Sequence, residues 1–139
     1  MRHALRRSLA IGSILSVLSL PGLAFAGSSG DYTAAQAAKG KTLYDANCAS
    51  CHMADLSGGS GPALAGKKFA SYLQFSKISA SQLLSFISSQ MPATDPGGLK
   101  QDQYNAILAY MLKYNKYPAG SQKLTTETAK SVKMLPYPG

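Results

Sequence analysis

The sequence predicts an all-α fold of three or more helices joined by long loops. Three observations carry this. Tyr104, Ile107, Leu108, Met111 and Leu112 recur at i, i+3, i+4, i+7 and i+8, the spacing of a buried helical stripe. Helix-start signals stand at Thr33 with Gln36 and at Ser79 with Gln82, a hydroxyl followed three residues later by glutamine. No run of alternating apolar and polar residues marks a strand, and no internal repeat is present.

From the N-terminus, Arg2, Arg6 and Arg7 form a basic segment, Leu9 to Leu20 an apolar one, and Ala24-Phe25-Ala26 a small-residue cleavage site. That order predicts a secretory signal peptide over residues 1–26, with a mature chain starting at Gly27 and released to the periplasm. The apolar run falls short of the roughly 20 residues a membrane span needs, so an uncleaved anchor fits it less well. The mature form is expected to carry no membrane span.

Residues 33–46 read as the first helix. Gly40 inside it costs about 1 kcal/mol relative to alanine, which points to close approach by another helix. Tyr44 lies one turn further on the same face. Residues 56–62, LSGGSGP, are loop by their glycine and proline density. An apolar stretch follows, with Leu64, Phe69, Tyr72, Leu73 and Phe75 but no helix-start signal.

Ser79 opens the next helix, striped by Leu83, Phe86, Ile87 and Gln90. Pro92 biases Met91 to an extended conformation and stops it, leaving 91–98 as loop. Residues 100–114 form the last helix. The tail carries Pro136 and Pro138 and few core-forming residues. The expected organisation is a domain over 27–120 and a weakly structured extension over 121–139.

Cys48-Ala49-Ser50-Cys51-His52 is C-x-x-C-H, the attachment motif of a c-type haem. Two thiols at this spacing reach the two vinyl groups of one porphyrin, and the next residue places an imidazole at the iron. A redox-active C-x-x-C calls for a βαβ context, which is absent from the pattern. A structural zinc needs four ligands. Only Cys48, Cys51 and His52 remain once His3 leaves with the signal peptide.

A low-spin carrier needs a second axial ligand, commonly Met or His. Met53 is adjacent to the proximal histidine, Met111 sits on a core stripe and Met134 lies in the tail. Met91, on a loop between two helices, is the candidate. The open alternative is a vacant sixth position.

Charge narrows the partners. The chain carries a formal +8, three of it from the arginines of the leader, and the remaining cations are scattered lysines. No dense basic run with interleaved aromatics exists, which argues against nucleic acid. A weakly basic face that steers an acidic protein fits better.

Taken together, Gly40, Tyr44, the C-x-x-C-H motif, Gly61-Pro62-Ala63-Leu64, Met91-Pro92 and Ile107-Leu108-Ala109-Tyr110 resemble a class I monohaem cytochrome c over about Thr33 to Gly120. The resemblance implies a cytochrome c fold, with the helices wrapped around one covalently attached haem c and its iron. It implies that the first and last helices cross at Gly40, Tyr44 and Tyr110. It also implies that the Pro62 carbonyl accepts a hydrogen bond from the proximal imidazole, which adds Pro62 to the cofactor-binding set.

A narrower resemblance, in GPALAGKKF, QMPATDPGGL and Lys116 to Gly120, is to the cytochromes that accompany PQQ-dependent alcohol dehydrogenases. One departure is Lys100, where such helices commonly open with Ser or Thr. The implied function is one-electron transfer from a quinoprotein dehydrogenase to a terminal oxidase or another cytochrome, by a protein that is not itself an enzyme. The competing reading is a five-coordinate haem protein that binds a gas or reduces peroxide.

Overall fold

The computed structural model describes residues 30–139. The expected signal peptide, residues 1–26, lies outside the described residues. Five α-helices follow in order: α1 (Ala34–Asn47), α2 (Ala49–His52), α3 (Gly66–Ser76), α4 (Ala80–Gln90) and α5 (Gln101–Tyr114). A 3-10 turn spans Thr128–Lys130. Among the described residues there is no strand, only an isolated parallel bridge between Tyr32 and Ala119. The all-α expectation is met. No described helix is long and apolar enough to cross a membrane.

The centre of the fold is the crossing of α1 over α5. A Cβ built on Gly40 would stand 2.5 Å from the Ala106 carbonyl carbon and 3.0 Å from the Tyr110 Cβ. Glycine is therefore the residue that lets the two backbones touch. One turn on, the Tyr44 ring meets Tyr110 with centroids 5.3 Å apart. The Tyr44 hydroxyl donates to the Met53 carbonyl at 2.8 Å, tying α1 to the segment after α2. Burial holds its phenol well above the ordinary range, so it remains a neutral donor. Lys39 and Asp102 also bridge the two helices at 3.0 Å, but both are largely exposed and such pairs contribute little.

The local start signals differ in outcome. At α4 the capping box is complete: Ser79 accepts from the Gln82 N–H, and the Gln82 side chain accepts from the Ser79 N–H at 2.9 Å. At α1 only half forms. Thr33 accepts from the Gln36 N–H at 3.2 Å, but the Gln36 amide turns away to Leu124. It donates to the Leu124 carbonyl at 2.6 Å and accepts from the Leu124 N–H at 2.8 Å. At α5 the lysine at the cap position supplies no oxygen, and Gln103 alone answers by accepting from the Lys100 N–H at 2.8 Å.

Two features depart from expectation. The apolar stretch around Phe69 is a full helix, α3, burying Phe69 and Leu73. Its N-cap residue, Ala65, makes no side-chain cap bond. The Gly66 N–H instead donates to the Tyr137 hydroxyl at 2.9 Å, a cap borrowed from the far end of the chain.

The second departure is the tail itself, expected to be weakly structured. Leu124, Ala129, Val132 and Met134 are buried. The Tyr117 hydroxyl donates to the Met134 carbonyl at 2.7 Å, and Tyr137 donates to the buried Asn115 Oδ1 at 2.5 Å. Asn115 in turn donates to the Leu64 carbonyl at 2.9 Å, so the tail braces the loop that leads into α3. Its few apolar residues are enough because each one is spent against the body of the domain.

Candidate functional site

Cys48, at the C-terminal end of α1, makes its N–H bond to the Tyr44 carbonyl at 2.8 Å, and the chain then winds one more turn as α2. That turn carries Cys51 and His52. Met53 ends it at φ 63. The glycine loop folds straight back over the turn. Gly59 and Gly61 both donate to the Cys51 carbonyl, at 3.1 and 2.9 Å, and Gly58 donates to the His52 carbonyl at 3.1 Å. The loop composition thus has a use: the backbone lies against the motif and satisfies its carbonyls.

The loop also sets the histidine. His52 is buried, and its Nδ1–H donates to the Pro62 carbonyl at 2.8 Å. A carbonyl can only accept, so Nδ1 carries a proton, and in the neutral ring the lone pair is then on Nε2. A Cβ on Gly61 would come within 2.7 Å of Cε1 and 2.8 Å of Nδ1, so only glycine lets this loop lie on the ring. Sequence reasoning named Pro62 but not the role of Gly61; the Gly-Pro pair was the available signal.

Cys48, Cys51, His52 and the glycine loop face one cavity of ≈1020 Å³, at the upper end of the roughly 300–1,000 Å³ of small-molecule sites. Cys48, Cys51, His52, Pro62 and Met91 line it together. Its walls are apolar, with Phe69 from α3, Leu83 and Ile87 from α4, and Ile107 and Met111 from α5. Cys48 is half-buried and Cys51 exposed. Burial, and then Cys51, pushes the Cys48 thiol up to about 11. These free thiols stand where the thioether sulfurs of an attached haem would be.

Of the other methionines, Met111 lines the same cavity but is a buried core residue, whereas Met91 is only partly buried. Met53 is well exposed and Met134 is buried within the tail; neither lines the cavity. Among the described residues, no group of three or more His, Cys, Asp or Glu side chains gathers as a metal cage. Two thiols, one imidazole with a fixed tautomer, and a large apolar hollow are the donor set and shape that haem c requires.

A family model described as cytochrome c oxidase, cbb3-type, subunit III matches residues 35–111, more than half of the chain. The chain belongs to this cytochrome c family. The cytochrome therefore carries covalently attached haem c and works in electron transfer. Its fold is also similar to a solved structure, the sulfane dehydrogenase SoxCD from Paracoccus pantotrophus, at 28% identity and a TM-score of 0.59. That match covers 71% of the cytochrome and 53% of the other chain, about half of that chain's length. No curated protein matches the cytochrome. Neither finding names a quinoprotein.

Proposed function

We propose that this cytochrome is a periplasmic one-electron carrier, exported by a leader over residues 1–26, with its haem c ligated by His52 and Met91. Its donor is a dehydrogenase, a quinoprotein by the narrower sequence resemblance, and its acceptor a terminal oxidase or another cytochrome. The family name is that of an oxidase subunit and the solved neighbour is a dehydrogenase, which supports redox-protein partners on both sides.

The observation that carries the reading is that His52, with Nε2 free, and Met91 line one cavity with both cysteines. Haem c, when bound, supplies the reversible one-electron change at its iron. The Pro62 carbonyl keeps His52 in one tautomer and raises its basicity as a ligand. Gly61 and the Tyr44–Met53 bond hold the segment that presents it. Met91 offers a soft thioether, which favours the reduced state and raises the potential. Phe69, Leu83, Ile87 and Ile107 keep water out.

Met91→Ala is expected to abolish the sulfur-to-iron charge-transfer band of the ferric protein and open the iron to cyanide or carbon monoxide. The potential should fall on the order of 0.1 V, well within the roughly 0.8 V that axial ligands span. Met111→Leu should leave all three unchanged. The assignment is wrong if Met111→Leu reproduces the loss and Met91→Ala does not. A natural protein lacking the band and binding carbon monoxide freely points to the five-coordinate reading.

The partner face is expected on α3 and α4. Lys67, Lys68 and Lys77 are exposed there, and no acidic residue lies between Gly66 and Gln90. Lys68, Tyr72 and Phe86 line the cavity, and Phe75 is 91% exposed. Electron transfer from a dehydrogenase should slow as salt rises, since surface charge pairs are screened over about 8 Å at physiological strength. Lys67→Glu with Lys68→Glu should slow the low-salt reaction roughly tenfold, mainly through association rate. A rate flat from low to high salt and unaltered in the double variant removes the electrostatic face.

A further inference from the structure

Tyr104 sits on the first turns of α5, buried, with its ring against the cavity. Its hydroxyl makes two bonds that close on one segment. It donates to the Met91 carbonyl at 2.5 Å and accepts from the Leu99 N–H at 3.2 Å. Met91 and Leu99 are the two ends of the loop between α4 and α5. Between them the chain has only its own turn bonds: Asp95 N–H to Pro92, Gly97 N–H to Met91 at 3.3 Å, and Gly98 N–H to Asp95. The residues from Ala93 to Gly98 are exposed. One hydroxyl on a rigid helix therefore ties together both feet of an otherwise solvent-facing loop.

We infer that Tyr104 is a positioning residue that holds the Met91 loop shut over the cavity and thereby controls how often Met91 gives way to an outside ligand. This rests on the reading of Met91 as an axial ligand. The logic is that of a two-state element: loop closed with Met91 presented, loop open with Met91 withdrawn. A ligand that needs the open state binds with its intrinsic affinity multiplied by the open fraction. The Tyr104 hydroxyl exists as a clasp only in the closed state, because opening separates Met91 and Leu99 from α5. Losing it leaves the Met91 carbonyl one donor short and the Leu99 N–H without its acceptor, which raises the open fraction.

The test uses ferric holoprotein and imidazole as the outside ligand, followed optically. Tyr104→Phe keeps the ring and removes the hydroxyl. It should keep the sulfur-to-iron band at rest yet bind imidazole about tenfold more tightly. Met91→Ala should bind imidazole far more tightly, and adding Tyr104→Phe to it should give no further gain. That loss of effect in the double variant separates action through Met91 from general loosening.

A Tyr104→Phe protein that melts earlier but binds imidazole as the natural protein does overturns the inference. So does an equal gain with and without Met91. If Met91→Ala alone changes neither the spectrum nor the affinity, the axial-ligand reading falls, and this inference with it. Should Tyr104→Phe not accumulate as holoprotein, amide exchange in the natural protein decides. Saturating imidazole should speed exchange of the Leu99 N–H at least tenfold, and unchanged protection overturns the proposal.

Discussion

Replacing Cys48 and Cys51 together with alanine is expected to leave no haem on the chain after denaturation and very little folded protein. The first outcome follows from chemistry, since no other cysteine is present to form a thioether. The second follows from packing. The cavity of ≈1020 Å³ passes between α3, α4 and α5, and its apolar walls are much of what these helices have to bury.

An unfilled apolar cavity costs roughly 24 cal/mol per Å³, so even a quarter of this volume amounts to about 6 kcal/mol. That is comparable to the whole stability of a domain, roughly 5–15 kcal/mol. The attached group is thus part of the core, and a chain that cannot retain it should remain open and be degraded. Haem fluorescence on a denaturing gel, with circular dichroism of whatever accumulates, reads both outcomes. Covalent haem surviving in the double variant, or a natural protein whose haem extracts freely into acid acetone, removes the attachment.

Gly40→Ala should also destabilise the protein, though intrinsic helix preference argues the other way. In an open helix the change stabilises by about 1 kcal/mol. Here the new methyl would lie inside the van der Waals envelope of the Ala106 carbonyl and 3.0 Å from the Tyr110 Cβ. The nearest obstacle is backbone in the middle of α5, which cannot rotate aside. The two helices must separate, and the Tyr44–Tyr110 contact opens with them.

Overpacking of this kind costs about 3 kcal/mol, enough to outweigh the propensity gain. At roughly 4–8 °C per kcal/mol for a domain of this size, the melting temperature of the holoprotein should fall by at least 8 °C. The exposed neighbour Ala38 offers the control: Ala38→Gly should cost about the 1 kcal/mol of helix propensity and no more. A Gly40→Ala protein that melts higher than the natural one means that the crossing is not as close as described.

Much of this cytochrome was readable from the chain, for a common reason. The C-x-x-C-H motif, the complete cap at Ser79 and Gln82, the stripe of α5 and the stop at Pro92 are each made of residues within one or two turns of one another. Local spacing is enough to reveal a bond or a face when both partners are close in sequence. Gly40 was legible as a place of close approach because a mid-helix glycine is unfavourable unless something needs the space.

The rest depended on partners far away along the chain. Nothing near Gly66 announces α3, because the cap for its first N–H is the hydroxyl of Tyr137. Gln36 carries the signature of a capping box, yet its amide gains more by pairing with both polar groups of Leu124 than with one N–H of its own turn. The tail looked too poor in apolar residues to order itself, and alone it is. Leu124, Val132 and Met134 are buried only because they join the core cluster of the domain, with Leu124 held by Gln36 of α1 and the 3-10 turn packed on α4. Tyr104 reads in sequence as one more member of a core stripe. Only the assembled fold brings its hydroxyl to Met91 and Leu99 at once, because the loop must first be closed before either bond can form.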